Sequence, residues 1–240
     1  VGFETSQSQV VFPNAPSGGG GGVTPEQIAD LSGLMGAADA FHLIESAGPF
    51  LDRGSAPQIL TETGAFRRAR LGPRALIPAV WPPVSAVGSL SFPASIGYNG
   101  PFSVGLTIRG NGEAPPSGSI LQATSGGSVR HEVFFSDPAN LNARIFSTSG
   151  PVLGGTPFAI NTSASHRIVY TFAYPGGAVW MDGALGTSFY GFPNDPADMM
   201  LCLVDCAGIS ACDFDFWPGV VLTTDEIAAD FERYASSFRY

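Results

Sequence analysis

Ser165-His166-Arg167-Ile168-Val169-Tyr170-Thr171-Phe172 and, shortly after it, Ala178-Val179-Trp180-Met181-Asp182-Gly183 are dense in β-branched and aromatic residues. They predict strands at 166–174 and 177–181, with turn residues between them. The same texture spreads outward in both directions from about Val84. It predicts further strands at 88–92, 102–109, 119–124, 129–135, 143–148, 186–190, 199–204 and 212–217. Short strands with turn signals about every 8–12 residues argue for an all-β sandwich and against a βαβ sheet. Past the last strand, Leu222-Thr223-Thr224-Asp225-Glu226-Ile227 predicts a closing helix, capped by Thr223 or Thr224, with Ile227, Phe231 and Tyr234 on one face.

These segments, in their order and spacing, resemble the concanavalin A-like, laminin G-type jelly rolls over residues 84–240. The 165–183 stretch is similar to a hairpin of that family in which Asp-Gly forms the tight turn, where positive φ favours Gly. Phe102 to Arg109 sits where the family has one of its recurring strands. Phe214-Asp215-Phe216-Trp217 through Ala228 is similar to its closing strand and tail helix. The resemblance implies an antiparallel jelly-roll sandwich, and calcium is a possible cofactor, because many laminin G-type domains bind it through loop carboxylates. Asp195, Asp198 and Asp205 are the acids that would have to converge.

Before residue 84 the organisation differs. Residues 1–22 hold a short strand-like segment, Gln9-Val10-Val11-Phe12, and the glycine run Gly18 to Gly22, which is costly to order. They read as an anchoring arm and hinge. Residues 23–83 read as a helix and connector serving attachment or oligomerisation. Thr24-Pro25-Glu26-Gln27 is a capping box, and Ile28, Leu31, Leu34, Met35, Ala38 and Phe41 recur at helical spacing. One apolar stripe on a short helix needs a partner, either the neighbouring domain or equivalent helices of a homo-oligomer. From Pro49 to Pro83 no period persists. The basic cluster Arg67, Arg68, Arg70 and Arg74 suits a solvated connector, or a segment docking on an acidic partner.

Composition excludes several function classes. The 240 residues are 44% hydrophobic and 13% charged, so a sizeable core is available and global disorder is not expected. All 11 basic residues are arginine, which excludes a P-loop lysine and Schiff-base chemistry within this sequence. Net charge is −9 and concentrates after Pro82, where six arginines face thirteen acids. That field argues against nucleic acid and against anionic lipid. No apolar run is long enough to span a bilayer, so no membrane insertion is expected. Val1–Val10 shows neither the basic nor the apolar region of a signal peptide. Cys202, Cys206 and Cys212 match no zinc spacing and leave open one disulfide plus a thiol, or three reduced core thiols.

No catalytic constellation is recognisable. The two-carboxylate strand of sandwich-fold glycosidases has no counterpart, because Glu132 and Asp137 stand five apart without a third acid. Val129-Arg130-His131-Glu132 echoes an alginate-lyase strand but lacks its companion motifs, and a solvent-facing strand end explains it as well. His42, His131 and His166 are isolated. Sugar binding asks for less: an aromatic ring with carboxylates and amides beside it. Two places offer this. One is the turn-rich loop after Tyr190, with Asn194, Asp195 and Asp198; the other is Asp213, Asp215 and Trp217, which alternation puts on one face of the last strand. The bland alternatives are that Trp217 caps the sandwich and that the Asn/Asp-Pro steps only initiate turns.

An arm, a glycine hinge and a short helix ahead of a lectin-like sandwich resemble the fibres and spikes of bacteriophages and phage-like particles, gene transfer agents included. That resemblance implies a protein on the particle surface, attached to capsid or tail proteins through Val10, Val11, Phe12, Ile28, Leu31 and Leu34, with the sandwich on host surface polysaccharide. A polysaccharide-degrading enzyme and a purely architectural decoration protein are the alternatives.

Overall fold

The computed structural model describes residues 37, 39–41, 43, 50, 52, 54–55, 57–70, 78–82, 87–147, 150–152, 155–190 and 195–238. The arm, the glycine run, the 24–36 helix with its attachment residues, Arg74 and Asn194 lie outside them.

Two antiparallel sheets face one another. The first runs β14 (Ala184–Tyr190), β13 (Gly176–Met181), β12 (Ser165–Ala173), β6 (Phe102–Gly110), β16 (Ile209–Pro218), β4 (Pro78–Trp81), β3 (Arg67–Arg70), with β1 (Asp39–Phe41) also paired to β16. The second runs β10 (Gly150–Val152), β9 (Asn140–Ser147), β8 (Ser128–Asp137), β7 (Ser117–Ser125), β15 (Ala197–Ala207), β5 (Ser89–Ile96), β2 (Thr61–Thr63), with β11 (Phe158–Ala159) paired to β9. The expected jelly-roll sandwich is therefore present, and each of the ten expected strands has its counterpart.

Alternation builds the interior. Phe102, Leu106 and Ile108 of β6, Tyr170 and Phe172 of β12, and Phe214 and Phe216 of β16 meet Phe92, Val133, Leu141 and Met200 of the second sheet. Phe92 sits at the hub, 5.4 Å from Phe214 and 5.3 Å from Phe41 between ring centroids. Such pairs add roughly 0.5–1.5 kcal/mol each beyond their buried area. The β13–β14 hairpin closes on Asp182 (φ +53°) and Gly183 (φ +80°). Positive φ at both central residues is the type I′ turn whose twist matches the strands.

The N-terminal third departs from expectation. Phe41 lies in β1, opposite Phe214 on the edge of β16, and does not continue a helix. Burial of Phe41 beside the last strand outweighs its helical spacing. The stretch read as a connector supplies β2 to the second sheet and β3 and β4 to the first, so the sheets draw strands from before residue 84. Two arginines of the basic cluster are committed internally. Arg67 pairs with Glu113 and stacks on Trp81, while Arg68 pairs with Glu62 and lies over Phe50.

A helix, α1 (Thr224–Phe238), crosses the outer face of the first sheet. Thr223 Oγ1 accepts the Glu226 N–H, and the Glu226 carboxylate accepts the Thr223 N–H at 2.8 Å, a reciprocal capping box. That backbone bond holds the Glu226 carboxyl below its usual range. Ile227 and Leu222 pack with Val169, Trp217, Ala37 and Ala40 into a second, smaller core.

Candidate functional site

The outer face of β16 carries Asp213, Asp215 and Trp217 together, as alternation requires, yet they form no sugar platform. They are 1%, 2% and 2% exposed, because that face lies beneath α1. Trp217 belongs to the small core under the helix. Asp215 accepts from Arg167 Nη2 and Tyr234 Oη, both at 2.6 Å. Arg167 also donates to Asp230 of α1 at 2.8 Å, and Tyr234 stacks over its guanidinium. Burial opposes the charge on Arg167, but Asp230, Tyr234 and Asp215 hold it protonated, above its ordinary range. This cluster fastens the helix to the sheet.

The other sequence candidate lies elsewhere. Tyr190 ends β14 and is 77% exposed. Register puts Tyr190 opposite Gly176, Ala173 opposite Gly176, and Phe172 opposite Phe102. The turns 174–175 and 97–101 therefore share one end of the sandwich with Tyr190. Their tyrosines are exposed too, Tyr174 at 51% and Tyr98 at 64%. Val220 and Val221 stand at the same end, where Gly219 N–H donates to Pro101 O. Asp195 and Asp198 flank it, Asp195 held by Arg130 Nη1 at 3.0 Å and Asp198 3.4 Å from Gly126 N–H. The result is a wet rim of three phenol rings with carboxylate and guanidinium beside them. Each ring can lie against the apolar face of a sugar, and the loop polar groups can meet its hydroxyls. Sequence reasoning found Tyr190 and missed Tyr98 and Tyr174. The available signal was an aromatic set inside turn chemistry, in Gly97-Tyr98-Asn99-Gly100 and Tyr174-Pro175-Gly176.

Three other candidates resolve as follows. His131 is not at a solvent-facing strand end. It is 1% exposed, with Nδ1 2.8 Å from Tyr170 Oη and rings of Phe102 and Phe172 around it. Glu132 faces the other way but is 5% exposed, bonded by Ser119, Gln122 and Arg144. Arg130 is spent on Asp195. The aspartates weighed for calcium do not converge. Asp205 lies seven residues along β15 from Asp198, about 23 Å at 3.3 Å per residue, where it accepts Gly88 N–H. Among the described residues no three His, Cys, Asp or Glu side chains gather as a metal site. The cysteines are three buried free thiols, and burial pushes each of them up in pKa.

His166 is the second residue of β12, near the structural strand-start position that the resemblance implies. Its Nδ1 meets Asp182 Oδ2 at 2.6 Å and its Nε2 meets Asn161 O at 2.7 Å. Both partners are acceptors, so the protonated ring, donating from both nitrogens, is the form that satisfies them. The hydrogen bond to Asp182 raises its pKa above 6.5 against the opposing effect of burial.

Solved structures share this architecture. A structure of botulinum neurotoxin type C matches with a TM-score of 0.61 at 11% identity, over 87% of this chain and 53% of that one. The binding domain of botulinum neurotoxin DC in complex with SialylT gives 0.60 at 11%, over 82% and 51%. Trypanosoma rangeli sialidase in complex with the inhibitor DANA gives 0.57 at 11%, over 81% and 32%. The likeness is one of fold. This chain spans about half the length of the neurotoxin chains and about a third of the sialidase. No family model and no curated protein matches the sequence.

Proposed function

We propose that this chain is the glycan-binding part of a fibre or spike on a phage-like particle, with the tyrosine end of its sandwich meeting host surface polysaccharide. The observation that carries the reading is that Tyr98 and Tyr174, on turns, and Tyr190, at the end of β14, are all more than half exposed at one end of the sandwich. Exposed aromatics of this size are enriched where proteins bind, since they offer large rigid area at low entropic cost. Two of the sandwiches with the same fold support the choice of ligand. For botulinum neurotoxin type C, cell entry is dependent upon interaction with two ganglioside molecules, and the DC domain was solved with SialylT. The particle is supported by the sequence alone, through the glycine run and capped helix ahead of the sandwich. Weak binding per copy would be strengthened by many copies on one particle.

The test is adsorption of the purified full chain to host cells and to matched cells lacking surface polysaccharide. Binding that disappears with the polysaccharide is expected. Equal binding to both would move the reading to a protein receptor, the kind of partner seen for the DC domain with rat synaptotagmin II.

A further inference from the structure

At the end of the sandwich opposite the tyrosines, a cavity of about 300 Å³ lies between the outer face of the first sheet, the turn before β12 and the second half of α1. That volume is at the lower end of small-molecule sites, about 300–1,000 Å³. Its walls include Arg109, Ser163, Ser165, Phe231 and Tyr234, with the charged pair His166–Asp182 beside them.

Arg109 distinguishes this cavity. Among the described residues, Arg67, Arg68, Arg130, Arg144, Arg167 and Arg233 each have a carboxylate within ion-pair distance. Arg109 has none, in a chain of net charge −9. The cations nearest to it are already compensated: Arg167 by Asp215 and Asp230, His166 by Asp182. Arg109 is thus a half-buried arginine that lines the cavity with no protein acid in ion-pair distance. Ser165 has an uncommitted hydroxyl, Ser163 Oγ donates to Asn161 and keeps acceptor capacity, and Phe231 supplies a half-buried ring.

We propose that this cavity binds a carboxylate-bearing pyranose, with the carboxylate on the Arg109 guanidinium, ring hydroxyls on Ser163 and Ser165, and the apolar sugar face against Phe231. One planar fork matches a carboxylate bidentately. Phosphate, with a charge nearer −2, is balanced less well by this one uncompensated cation than a carboxylate of charge −1. The site is separate from the tyrosine end and stands whether or not that end binds glycan.

Titration of the ¹⁵N-labelled full chain with sodium D-glucuronate tests this, with D-glucose and inorganic phosphate in parallel arms. Glucuronate should shift the Arg109 Nε resonance and the amides of residues 163–167 saturably, leaving those of Tyr98, Tyr174 and Tyr190 unmoved. Glucose should not move them, and phosphate should bind at least about tenfold more weakly. Arg109→Gln should weaken glucuronate by about tenfold or more, with Arg109→Lys intermediate because it keeps the charge and loses the fork. The proposal is overturned by no saturable shift at these resonances, by an equal response to glucose or to phosphate, or by wild-type affinity in either variant.

Discussion

At the scale of single residues, Arg167 carries the most consequence. Its guanidinium and the two carboxylates it joins are essentially dry, so Arg167→Ala strands Asp215 without a counter-charge and leaves Asp230 only Arg233, at 3.6 Å. Removing one member of such a buried set is expected to cost about 3–5 kcal/mol, read as a lower urea midpoint. Arg67→Ala, whose partner Glu113 is shared with water, should stay within about 1 kcal/mol in the same assay. His166 gives a pH signature. Its folded pKa is raised, so its stabilisation is fully present below about 6.5 and is lost as pH rises through the folded value. Urea midpoints measured from pH 6 upward should therefore fall faster in the wild type than in Asp182→Asn, which removes the main cause of the shift. Parallel pH profiles for the two would remove the imidazolium from the account. Neither role was readable from sequence, because an isolated His and an Arg on a strand do not announce partners that fold in from residues 182, 215 and 230.

At the scale of elements, the closing helix is fixed by its cap and by the face it covers. Thr223→Ala should destabilise by about 1 kcal/mol, seen as a lowered melting temperature with the circular dichroism of the sheets unchanged. The strands from 88 onward and this helix were legible because each declares itself locally, by two-residue alternation or by a capping box. The short strands β1 to β4 were not, since three or four residues flanked by Pro and Gly hold no period. β1, β2 and β4 become strands because the edges of β16 and β5 offer them hydrogen bonds, and β3 pairs in turn with β4. Alternation also set Asp213, Asp215 and Trp217 on one face correctly, but could not say that α1 lies on it. A face is a local property; its cover is a tertiary one.

At the scale of the molecule, the jelly roll presents two ends of different character, joined by a core that runs between them. One end gathers three exposed tyrosines, from two turns and the end of β14, and the other holds the cavity lined by Arg109. Of the first end only Tyr190 was legible beforehand, because segments distant along the chain meet only after the strands between them pair. Glycan binding at the tyrosine end is tested most directly by equilibrium affinity of the full chain for polysaccharide extracted from the host surface, wild type against the combined Tyr98→Ala, Tyr174→Ala, Tyr190→Ala variant. With the melting temperature preserved, the variant is expected to lose at least about tenfold in affinity. Equal affinity in the two proteins would contradict the assignment of this end as the binding surface.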